Sequence, residues 1–117
     1  MALAVSITTS SPASAPVFRI DKFVVPTAAL PAFLEKMRQI HHTVRALPGC
    51  VRDSVLTQTG GTGLFNVVHL VEWVNAEAVA AAQVVMQRQF ALEGFNPNAF
   101  FVGELGAQAD LGLYVNA

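Results

Sequence analysis

Apolar and polar positions alternate most regularly between Leu64 and Trp73, where Phe65, Val67, His69, Val71 and Trp73 share one side of an extended chain. Asn66, Val68, Leu70 and Glu72 share the other. This is the longest strand pattern in the sequence, and its first face is apolar and aromatic with one imidazole in the middle. Such a face is either a core face that tolerates a histidine or the wall of a small-molecule pocket.

The same reading places the remaining elements. Val17–Val25 is rich in β-branched and aromatic residues and reads as a strand closed by Pro26. Leu30, Phe33, Leu34, Met37, Ile40, His41, Val44 and Leu47 recur at spacings of three and four, predicting a helix with Pro31 in its first turn and Pro48-Gly49 after it. His41 falls on its apolar stripe and His42 on its solvent side. Residues 50–58 alternate loosely as a second strand, and the glycines of residues 59–63 form a hairpin loop into the long strand. A phosphate-cradling loop would need a helix and a Lys-Ser/Thr pair directly after those glycines, whereas a strand follows. Asn75 is placed to cap a second helix over residues 76–92, with Val79, Ala82, Val85, Met86 and Phe90 inward and Gln83, Gln87 and Arg88 outward. Gly94 ends it. A short helical turn follows from Asn96-Pro97 to Leu105, and residues 108–115 make a last strand.

Strand, helix, strand, strand, helix, strand is the split βαβ order of an α+β ferredoxin-like fold, a four-stranded antiparallel sheet with its helices on one face. The opposite face, which includes Val68 and Leu70, needs a cover, and a second copy of the chain is the simplest one. Composition points the same way: only 13% of the 117 residues are charged, against ~25% in typical soluble domains. Residues 1–16, rich in Ser, Thr, Ala and Pro, are expected to be a flexible arm, and residues 17–117 a single domain.

Net charge is −1, and the seven basic residues are scattered, so the cationic footprint that nucleic acid requires is missing. No apolar run approaches the ~18 residues that span a bilayer. The N-terminal stretch has no positively charged segment before its apolar piece, which argues against a secretory signal. The single cysteine, Cys50, excludes an intrachain disulfide and suits a reducing compartment. The expectation is a cytoplasmic protein. A buried structural thiol is the default reading of Cys50, and no nucleophile-elbow context supports a catalytic serine or cysteine.

Several short pieces together resemble the antibiotic biosynthesis monooxygenase (ABM) domain: Val25-Pro26 ahead of the first helix, Leu47-Pro48-Gly49-Cys50 after it, and Val71-Glu72-Trp73 followed by Ala76-Glu77-Ala78. The resemblance runs from about Phe18 to Phe90. It implies a homodimeric α+β barrel, in which two sheets pack face to face and each subunit keeps a pocket between sheet and helices. It further implies oxygenase chemistry on phenols or quinols without metal or flavin, and in some relatives haem degradation. Trp73 matches a pocket tryptophan of the polyketide-oxidising members. Their asparagine four residues earlier is His69 here. The helix-two histidine of many relatives, nine residues after the tryptophan, is Ala82, so the usual haem ligand is missing.

His69, Trp73 and His41 are therefore the candidate catalytic residues. His69 would remove a phenolic proton, and Trp73 would offer a flat apolar contact to an aromatic substrate. His41, facing the sheet from the first helix, would share the site. The plainer readings are a core histidine satisfied by a backbone carbonyl or water, and a helix-edge histidine in solvent. Two histidines without a third ligand make a poor metal site, and the expectation is a protein with no cofactor and no metal that takes a small aromatic molecule. The alternatives are a non-catalytic ligand-binding or regulatory dimer, and isomerase or lyase chemistry on the same barrel. Asn66 and Glu72 are assigned to the dimer face, and Tyr114 to either the partner subunit or the pocket rim.

Overall fold

A computed structural model describes residues 15–117. The arm expected over residues 1–16 lies outside them except for Ala15 and Pro16. The chain runs β1 (Val17–Val24), a 3-10 turn (Thr27–Ala29), α1 (Leu30–Val44), β2 (Cys50–Thr57), β3 (Val67–Trp73), α2 (Ala76–Glu93), a π-helical segment (Ala99–Glu104) and β4 (Gln108–Tyr114). The strands form one antiparallel sheet in the order β2-β3-β1-β4, with the helices on one face. The ferredoxin-like α+β architecture read from the element order is the one observed.

The element ends follow local chemistry. Pro31 sits in the first turn of α1, where a missing N–H leaves no bond unmade. The Asn75 side chain accepts a hydrogen bond from the Ala78 N–H at 2.9 Å and caps α2. Gly94, at φ +65°, ends that helix in the left-handed conformation. Gly49, at φ +84°, carries the chain from α1 into β2 where a Cβ would lie 2.5 Å from the Ala78 Cβ.

The core lies between the sheet and the helices in two clusters. One gathers Phe23, Val25, Phe33, Met37, Val67 and Phe101, the other Val17, Val44, Val71, Trp73, Val79 and Ala82. Phe33 meets Phe23 edge-on with ring centroids 5.0 Å apart, and Phe101 at 4.7 Å. The i→i+5 bond from the Leu105 N–H to the Phe100 carbonyl belongs to the π-helical segment, which seats Phe101 wholly in the core.

Three expectations need correction. β3 begins at Val67 rather than Leu64, and Asn66 serves no outer face. Its side chain accepts from the Val25 N–H and donates to the Val25 carbonyl, both at 2.8 Å, tying the start of β3 to the end of β1. In α2, Val85 is exposed and Gln83 lines a cavity under the helix, while Gln87 is exposed as expected and borders the same cavity. Glu72 does lie on the outer face, facing Arg52 at 3.6 Å.

Candidate functional site

Pairing fixes which side chains meet on the helix side of the sheet. Directly opposed residues of antiparallel strands point the same way, and His69 stands opposite Val55 of β2 and Asp21 of β1. Val71, two residues on, stands opposite Asp53 and Arg19. Apart from Thr57 at the exposed end of β2, the inner face of the sheet therefore carries Asp53, His69, Asp21 and Arg19 in an otherwise apolar layer. Asp21 and His69 are both buried.

Two small clusters result. On β1, the Arg19 Nε–H is shared between both carboxylate oxygens of Asp21 at 3.1 Å. Burial pushes the Asp21 carboxyl above its ordinary range, while Arg19, and more weakly His69, pull it back. On the other side of β3, Asp53 Oδ1 meets His69 Nε2 at 2.9 Å and is also in hydrogen-bond contact with His41 Nδ1, brought over by the last turn of α1. One carboxylate oxygen thus bridges two imidazoles whose ring centroids are 6.4 Å apart. The Asp53 side chain is 1% exposed, His69 8% and His41 23%, so the bridge is sealed on the sheet side and reachable past His41. Asp53 Oδ2 is buried without a hydrogen-bond partner. The same carboxylate and partial burial raise the Cys50 thiol above its ordinary value, burial being the larger cause.

Beside this bridge lies a cavity of about 110 Å³ between β1, β3, α1 and α2. His69, Trp73, Asp21 and Arg19 form its sheet wall, and Met86 and Gln83 face them from α2. Its lining is otherwise mostly aliphatic and aromatic. Ala82 borders the same space with a methyl group, so α2 offers no imidazole there.

The sequence-predicted residues are therefore brought together in part. His69 and Trp73 line the cavity. His41 does not line it and joins the site only through Asp53. Asp53, Arg19 and Asp21 escaped the sequence reading. A signal for two of them was present, since Arg19 and Asp21 alternate with Val17 and Phe23 along the face that buries those two. For Asp53 the signal is masked by a register shift between Cys50 and Arg52, which puts Cys50 and Asp53 on one face despite their odd spacing.

Where Asp53 Oδ1 accepts from both rings, each imidazole keeps its lone pair on the other nitrogen, Nδ1 in His69 and Nε2 in His41. This fixes tautomer and ring orientation, the preparation a general base requires.

The chain matches no protein-family model and no curated protein. Solved structures do resemble it. A proposed monooxygenase from Shewanella loihica PV-4 aligns at 20% identity with a TM-score of 0.68, over 89% of this chain and 96% of its own. MhuD of Mycobacterium tuberculosis, a heme degrader with two hemes bound in its active site, aligns at 22% identity with a TM-score of 0.63, over 86% and 95%. SnoaB of Streptomyces nogalater, a cofactor-independent oxygenase, aligns at 24% identity with a TM-score of 0.56, over 88% and 94%. The fold is that of the ABM-domain proteins, as the resemblance implied. Among the described residues no helix is long and apolar enough to cross a membrane.

Proposed function

We propose that the protein is an oxygenase of the antibiotic biosynthesis monooxygenase type that oxidises a small phenol or quinol with dioxygen, using no resident cofactor. The observation that carries this reading is a buried imidazole, His69, on the wall of an apolar cavity, held in hydrogen-bond contact by the Asp53 carboxylate. His69 takes the phenolic proton, leaving an electron-rich anion. The anion passes one electron to dioxygen, giving a substrate radical and superoxide that recombine in the cavity. The apolar walls keep water from that pair, and Trp73 supplies a flat surface for the ring. Positioning and deprotonation are what one base in an apolar site can contribute. The fold shared with SnoaB, a cofactor-independent oxygenase, supports the reaction class.

Oxygen uptake with hydroquinone and anthrone-type substrates tests this. His69→Ala is expected to lower the rate by about 10²-fold or more, the range for loss of a general base. Equal rates in wild type and variant refute the role of His69, and no turnover with any substrate leaves a small-ligand-binding dimer as the better reading.

The working unit in this proposal is a homodimer. On the outer face of the sheet Phe18, Ile20, Val68 and Leu70 are half-buried, and Leu56 and Tyr114 are exposed, a surface suited to a second copy. Light scattering of the purified chain checks this. The unpaired Cys50 supports a cytoplasmic setting.

A further inference from the structure

The bridge across Asp53 has a feature that hydrogen bonding alone leaves unexplained. One oxygen of a carboxylate that is 1% exposed serves two imidazoles, while its other oxygen is buried with no partner. Such an orphaned acceptor costs about 1–3 kcal/mol, and a negative charge inside a protein is expected to be paired or to coordinate a metal. Around that carboxylate stand two of the best nitrogen ligands a protein has.

We propose that His41, Asp53 and His69 form a binding site for one divalent first-row transition metal ion of the zinc, cobalt or iron(II) kind. One ring nitrogen of His41, one of His69 and a carboxylate oxygen of Asp53 all lie within 4.8 Å of one another, and the unpartnered Oδ2 is free to share in holding the ion. Ligands that each sit about 2.0–2.2 Å from one ion are separated by roughly 3.0–3.4 Å, and His69 Nε2 and Asp53 Oδ1 are already 2.9 Å apart. His41, the most exposed of the three, lies at the end of α1 and makes the adjustment. Two imidazole nitrogens and a carboxylate oxygen suit these ions better than magnesium or calcium, which favour all-oxygen shells. Three protein ligands leave coordination positions for water or a substrate atom. The ligands come from α1, β2 and β3, so the site exists only in the folded chain.

Occupancy changes what His69 can do. The metal takes the Nε2 lone pair, the ring proton moves to Nδ1, and neither nitrogen remains to accept a substrate proton. Metal-bound and base-competent forms therefore exclude one another. The site itself does not depend on the oxygenase reading, because binding is measured without substrate.

The test uses the full chain, freed of metal by chelator and gel filtration. It is titrated near neutral pH with Co²⁺, followed by visible ligand-field absorption, and with Zn²⁺, followed by calorimetry. One equivalent of metal is expected to bind. His41→Gln, Asp53→Asn and His69→Gln are each expected to weaken binding by about 10²-fold or more, since even changing a residue that only hydrogen-bonds a metal ligand costs roughly 10–100-fold. His42→Gln, on the exposed side of α1, is expected to leave it unchanged. Zn²⁺ should also raise the melting temperature of wild type but not of His41→Gln, a partly exposed position at which the variant is expected to fold at wild-type yield. No ligand-field bands at millimolar Co²⁺ overturn the proposal, as does a His69→Gln or Asp53→Asn protein that folds and binds like wild type. Loss of binding in His42→Gln overturns it too, by assigning the metal to an exposed histidine.

Discussion

Asn66→Ala tests how the sheet edge that positions the site is held. The Asn66 amide spans 41 residues of sequence to grip both backbone polar groups of Val25, each at 2.8 Å, and Val25 is 3% exposed. Its own backbone continues the ladder, donating to the Phe23 carbonyl and accepting from the Gln58 N–H, both at 3.0 Å. Truncation leaves that ladder intact and removes the two side-chain bonds. Each bond is worth about 1 kcal/mol net, and an orphaned buried N–H or C=O costs about 1–3 kcal/mol. Partial access of water through the space vacated by the amide keeps the total near ~2–4 kcal/mol. For a domain of this size that corresponds to a fall in melting temperature of roughly 8–16 °C. Asn66→Asp separates geometry from chemistry. A carboxylate still accepts from the Val25 N–H, but its second oxygen faces the Val25 carbonyl, acceptor against acceptor, until a proton restores a donor. The introduced carboxyl therefore has a raised pKa in the folded state. Its variant is most stable below the unfolded value of about 3.9 and loses stability as pH rises through the folded value. Urea unfolding of wild type and both variants at a series of pH values measures this. An Asn66→Ala protein within about 0.5 kcal/mol of wild type, the usual range of an unremarkable surface change, or an Asn66→Asp protein with the pH profile of wild type, refutes the reasoning.

Two other predictions concern groups near the site. Gly49→Ala places a Cβ 2.5 Å from the Ala78 Cβ and 3.3 Å from Val74 Cγ2 at φ +84°. The strain and overlap should cost about 2–4 kcal/mol, read as a lowered urea midpoint with an unchanged slope. Asp21 holds its proton more firmly folded than unfolded, because burial outweighs the Arg19 contact. Its contribution to stability is accordingly present below the ordinary value of 3.8 and is lost as pH rises through its higher folded value. In Asp21→Asn that part of the pH dependence should vanish, measured as the difference in unfolding free energy between acidic and neutral solution.

Helices and strands were legible because each carries its period locally. The α1 stripe, the Asn75 cap, the Gly94 stop and the alternation of β3 depend on residues a few positions apart, and the structure keeps all four. So is one wall of the cavity, since His69 and Trp73 share a face by spacing alone. The start of β3 was misplaced because Asn66 looks like one more polar position in an alternating run, and only a partner 41 residues away reveals its task. Polarity places Gln83 outward, yet the packing of α2 over the cavity brings it to the lining, whereas Gln87 stays exposed at the cavity's border.

The chain by itself determined the order of elements, their caps and the burial of an imidazole beside a tryptophan, because these follow from backbone geometry and the apolar period. Tertiary structure alone decided what that imidazole touches. The register shift after Cys50 turns Asp53 inward, antiparallel pairing sets it diagonal to His69, and the approach of α1 delivers His41 to the same oxygen. No local period encodes a contact among residues 41, 53 and 69. It arises when three elements meet, and there an unremarkable aspartate becomes the centre of the site.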